Sequence, residues 1–141
     1  MEFEQFPDPE TGVLLTLVRG PADLEGFFAL FAAAAARAES DGFRKFLGDY
    51  SEIEPDSILL TVDELEQMAA RFVPLAEDLA PAAIATVCVS AAQYGLTAIF
   101  KMFTEKPGLK IQHRIFFDRK EAADWLATID LPGPGTTEGN P

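Results

Sequence analysis

One histidine, His113, and one cysteine, Cys88, are all the imidazole and thiol chemistry this chain has. A Cys–His pair or a Ser–His–acid set would have to be built on them. His113 stands in Lys110–Phe117, where it shares one face of an alternating segment with Ile111, Ile115 and Phe117. That placement reads as a half-buried structural histidine on a strand. A catalytic base is the competing reading, but no nucleophile can be identified beside it. Cys88 lies in the apolar run Ala82–Val89 and reads as a buried strand thiol. A single cysteine excludes an intramolecular disulfide. One His and one Cys also cannot fill a tetrahedral zinc site without carboxylates.

The densest carboxylates are Asp49, Glu52, Glu54 and Asp56, a set with the right chemistry for a hard cation. A calcium loop starting at Asp49 would need Gly at its sixth position and Glu at its twelfth. Glu54 and Leu60 stand there instead, so the segment reads as a solvated acidic loop. No Gly-rich phosphate cradle or strained Gly-x-Ser-x-Gly turn occurs. The expectation is a non-enzymatic chain with no catalytic residue, no cofactor and no metal.

Charge is the sharper signal. The chain carries 23 acidic against 11 basic residues, a net charge of −12, a field that repels phosphate backbones and argues against nucleic acid. Yet Lys101, Lys106, Lys110, Arg114, Arg119 and Lys120 crowd into one segment, opposed only by Glu105 and Asp118. Lys101, Lys106, Lys110 and Arg114 form a candidate patch for an acidic partner or an anionic head group. The plainer explanation is protection of a sheet edge, which charged side chains provide.

The elements that must position these residues follow from periodicity and caps. At 141 residues, 48% of them hydrophobic and twelve of them Phe, the chain suits one domain with a real core. The first six residues and Val13–Val18 predict strands around a Pro7–Gly12 turn. Ala22–Glu39 predicts a helix with Leu24, Phe27, Phe28 and Phe31 inward, ended by Gly42. Phe43–Gly48 predicts a strand, and Asp49–Leu60 the acidic loop. Thr61 with Glu64, Ser90 with Gln93, and Asp118 with Glu121 each have capping-box spacing and open helices. Pro74 predicts a kink or break near Phe72 in the first of these. Strands are predicted at Ala82–Val89 and Lys110–Phe117. The order is β-β-α-β-α-β-α-β-α: an α/β fold with a mixed sheet and helices packed on it. Residues 1–130 make the domain, and the Pro- and Gly-rich tail 131–141 is expected to be disordered. The N-terminus lacks a basic-then-apolar leader and no apolar run reaches membrane length, so the expectation is a soluble, cytoplasmic protein without a transmembrane segment.

The strand Ala82–Val89, the stretch Ala92-Gln93-Tyr94-Gly95-Leu96, and Ile115-Phe116-Phe117-Asp118 leading into Glu121-Ala122-Ala123-Asp124-Trp125-Leu126 carry a resemblance. Together they resemble the SpoIIAA-like branch of the STAS-like proteins, small bacterial domains related in fold to anti-sigma-factor antagonists. Gly12-Val13-Leu14, the Gly20 break and Asp49-Tyr50-Ser51 fit in the same order, over roughly residues 3–129. The resemblance implies helices mainly on one face of a mixed sheet. It also implies relatives that bind protein partners under phosphorylation control, and a fold similar to CRAL-TRIO lipid-binding domains. The switched relatives carry Asp-Ser-Ser-Gly. Here the nearest stretch is Asp56-Ser57-Ile58-Leu59, without the second Ser and the Gly.

Two functions remain in view. The first is a regulatory domain that contacts a protein partner, or a second copy of itself as a homodimer, through the surface of Asp49, Ser51, Asp56 and Ser57. The alternative is a carrier for a small apolar or lipid-like molecule, held between the sheet and the helices that carry Phe27, Phe28, Phe31 and Pro74.

Overall fold

The computed structural model describes residues 1–58 and 60–134, without the side chains of Pro55 and Asp56. Five strands lie in the order β1 (Glu2–Asp8), β2 (Val13–Ala22), β3 (Lys45–Ile58), β4 (Ala82–Val87) and β5 (Ile111–Phe116). β1 pairs antiparallel to β2, and every later pairing is parallel. The helices are α1 (Leu24–Asp41), α2 (Val62–Leu79), α3 (Ala91–Thr104) and α4 (Arg119–Ala127). Because β2 to β5 are laid down in one direction, three right-handed crossovers put α1, α2 and α3 on the same face. Only α4, which follows the last strand, covers the other face, where Ala122, Leu126 and Trp125 pack on Leu47, Ala83, Ala85, Val87 and Phe116. The result is the expected α/β fold with helices mainly on one side of a mixed sheet.

Local chemistry explains the element ends. Asp23 caps α1 by accepting from the Gly26 amide, and Gly42 ends it in the left-handed region at φ 84°. Thr61 and Glu64 form the full reciprocal box at the start of α2. The helix runs unbroken through Pro74 to Leu79, so no break occurs at Phe72. The other two boxes are half-boxes. Ser90 and Asp118 accept from the Gln93 and Glu121 amides, but the Gln93 side chain turns away from Ser90.

The acidic loop is where the structure departs most from expectation. Asp49–Ile58 continues β3 as a strand, paired with β2 through two register shifts, between Leu17 and Arg19 and between Gly20 and Ala22. On its other side β4 reaches only as far as Asp49↔Val87. Beyond that point the free carbonyls of Tyr50 and Ile53 are met by the Gln93 amide nitrogen, at 3.2 and 3.5 Å, while Gln93 Oε1 accepts from the Val89 amide at 2.8 Å. One side chain, 2% exposed, thus takes over the hydrogen bonds of a missing strand segment.

The tail expected from Leu131 to Pro141 lies outside the described residues from 135 onward. Of its first four residues, Leu131 packs against the α4-side core, and Gly133 lies beside Gly12 and Gly42.

Candidate functional site

The residues singled out by chemistry go to different places. Asp49 is 3% exposed, accepting from the Ser51 amide at 2.9 Å and from Arg119 at 3.3 Å. It braces the junction of β3 and α4 and offers no partner a surface. Glu52 pairs instead with Arg19, so the two carboxylates diverge rather than converge on a cation. Ser51 is exposed, and the Ser57 hydroxyl donates to the Glu54 carbonyl at 2.6 Å. The Asp56 side chain lies outside the described residues. Cys88 sits just past β4, fully buried, with its sulfur 3.5 Å from the Thr97 hydroxyl. Burial pushes its thiol up, away from the reactive thiolate.

The basic segment is split by the sheet. Arg114 points to the α4 side, its guanidinium 5.3 Å from the Phe116 ring and 6.0 Å from Trp125. Lys110 lies exposed at the entrance to β5, which is an edge strand. These two fit edge protection. Lys101 and Lys106 lie on the opposite side, at the C-terminal end of α3, paired with Glu105 at 3.2 Å and with Glu77 of α2 at 2.9 Å. Sequence adjacency joined four cations that the sheet separates.

What the structure does bring together is a cleft under α1 and α2. Strand alternation points Thr16, Gly48, Tyr50, Ala82, Ile84, Thr86 and His113 toward these helices. Opposite them, α1 presents Ala34 and Ala35, and α2 presents Leu75 and Ala76. Small residues thus face small residues. Phe31, Phe72 and Phe100 form a triangle of rings with centroids 5.4 to 5.8 Å apart, bulky enough to hold the helices off the sheet. The space left is a cavity of about 100 Å³, walled almost wholly by carbon. Of the rings expected to shape it, only Phe31 does so. Phe27 packs edge-on to Tyr50, and Phe28 lies under the Arg71 guanidinium at 4.2 Å.

A few polar groups punctuate this apolar lining. The Thr86 hydroxyl and His113 Nε2 lie 2.9 Å apart, a hydrogen bond whose direction follows the imidazole tautomer. Burial, and then the charge of Lys101, lower the His113 pKa to about 4, so the ring is neutral at physiological pH. Tyr50 leans over Gly48, where an added Cβ would meet its ring edge at 3.4 Å. Burial pushes its phenol up, and no hydrogen bond among the described residues engages its hydroxyl. His113 also borders a second cavity of about 360 Å³, lined by Phe72, Lys101, Thr104, Glu105, Lys106 and Ile111. Phe72, Ile111 and His113 are common to both. The inner apolar space therefore adjoins an outer one that carries two ammonium groups and a carboxylate.

A separate surface feature lies at the C-terminal ends of the strands. Tyr94 and Phe117 stack at 5.4 Å with 14° between their planes, and both are exposed, Phe117 by 59%. Val89 is exposed as well. Among the described residues no helix is long and apolar enough to cross a membrane. Comparison with family models and with curated proteins finds no match.

Proposed function

We propose that this chain is a cytoplasmic, non-enzymatic binding module that takes a small apolar molecule into the cleft between α1, α2 and the sheet. The observation that carries the reading is the unfilled space between the small residues Gly48 and Ala82 on one wall and Ala34, Ala35 and Ala76 on the other. Protein interiors are packed to crystal density, and a void lined by carbon costs stability unless something fills it. The resemblance to SpoIIAA-like domains, whose fold is similar to that of lipid-binding domains, supports the same reading. Thr86 is the hydroxyl bonded to His113, and among the described residues no carboxylate bonds to either side chain to orient such a pair, which favours binding over chemistry.

Ala34→Leu tests this directly. The added carbons would occupy the cleft, so the variant should melt no lower than the parent chain by more than a few degrees. Mass spectrometry of organic extracts should find an apolar molecule with the parent chain and none with the variant. A parent chain that extracts empty, and whose melting temperature no single-chain amphiphile raises, rejects the reading.

A second reading, contact with a protein partner or a second copy of the chain, draws on the exposed Tyr94–Phe117 stack and Val89. Sedimentation and co-purification test it with Phe117→Ser. A chain that runs as a monomer and is recovered alone, whether or not Phe117 is present, counts against it.

A further inference from the structure

We propose that the ligand of the cleft is an amphipathic anion, with its apolar chain between Phe31, Leu75 and Ile84 and its charged head in the outer cavity between Lys101 and Lys106. This rests on the binding reading above and deepens it by assigning the head group. The inner and outer cavities share the wall formed by Phe72, Ile111 and His113. A single molecule passing that wall would have carbon on one side and ammonium groups on the other. Hydrocarbon gains by leaving water for the inner space, whereas a charged group placed there would find no countercharge. The geometry therefore orders the two ends of the ligand.

The sign of the head follows from what surrounds the outer cavity. Lys101 and Lys106 reach it from α3 and from the turn after it. Their present partners, Glu105 and Glu77, are exposed carboxylates, and exposed pairs of this kind contribute little. An incoming carboxylate can replace them at small cost, and its hydrogen bonds to the two ammonium groups are charge-assisted. A cationic head would meet both lysines, and a neutral head would forgo them. His113 cannot supply the charge, because burial keeps it neutral at physiological pH. What it offers is a polar edge at the narrow point. The paired lysines make this mouth balanced in charge in a chain of net charge −12, so an anion meets less repulsion there than over the acidic surface around it.

The test is calorimetric titration near neutral pH with three probes that share an eight-carbon chain: octanoate, 1-octanol and octyltrimethylammonium. Octanoate is expected to bind about tenfold more tightly than 1-octanol, the scale of a charge-assisted hydrogen bond, with the ammonium weakest. The double variant Lys101→Ala/Lys106→Ala replaces two side chains outside the core. It should lose the octanoate advantage, keep 1-octanol affinity within about twofold, and melt near the parent. Equal affinity for octanoate and 1-octanol, or no effect of the double variant, overturns the head-group assignment while leaving the apolar cleft standing. Binding of none of the three probes overturns both.

Discussion

His113 should make the stability of this protein fall as the medium turns mildly acidic, and the size of the fall can be worked out. In the unfolded chain the imidazole titrates near its ordinary 6.5, and in the folded chain burial and Lys101 lower it to about 4. Between those values the unfolded state binds the proton and the folded state does not, so stability is lost as pH drops through that window. At about pH 5 the two titration curves differ by roughly 2 kcal/mol relative to pH 7.5. For a chain of this size that corresponds to a melting temperature lower by roughly 4 to 8 °C. Carboxylates titrate in the same range, so the parent chain alone is not decisive. His113→Gln removes one titrating group and keeps a side chain able to bond the Thr86 hydroxyl, while Lys101, Glu105 and Lys106 around it stay in place. Melting curves of the two proteins from about pH 7.5 to 5 isolate the imidazole; below that a chain of net charge −12 loses the repulsion that keeps it dispersed. The expected result is a gap between the proteins that moves in favour of the variant as pH falls. Parallel curves would show that the ring is well hydrated and that its low pKa is wrong.

Gln93→Leu keeps the volume but strands the Tyr50 and Ile53 carbonyls and the Val89 amide, at a cost of about 3 kcal/mol in urea denaturation. A loss under about 1 kcal/mol would mean that water substitutes freely for this amide. Thr61→Ala removes the reciprocal cap of α2 and should cost about 1 kcal/mol, measured the same way, with no change in probe binding at the cleft. An unaltered urea midpoint would show that the cap contributes nothing.

The helices were legible because their signals are local. Thr61, Ser90 and Asp118 each hold a side-chain oxygen to an amide three residues on, and that spacing is visible in any sequence, whereas Asp23 caps α1 over Gly26, which has no side chain to mark a box. Gln93 was legible as a cap partner but not as what it is, since its bonds run to residues some forty positions away. The extension of β3 was misread as a loop because its acids look solvated. Beyond Asp49 the strand has a neighbour on one side only, and it tolerates polar residues such as Ser51 and Glu52 that a central strand would not. The lysines were visible, but the sheet that stands between Lys101 on α3 and Arg114 on the α4 side was not. The cleft depends on Gly48 and Ala82 standing across from Ala34, Ala35 and Ala76, a coincidence of register and helix rotation that spacing along the chain does not encode.

The Gln93 bridge gives α3 two dissimilar ends. Near its start the helix is riveted to the overhang of β3 by a side chain buried on all sides. Near its finish it carries Phe100 over the cleft and Lys101 at the mouth. The fixed end, or pivot, of this helix is thus a polar crosslink rather than an oily contact that can slide. The Tyr94–Phe117 stack sits beside that pivot, on the residue next to Gln93.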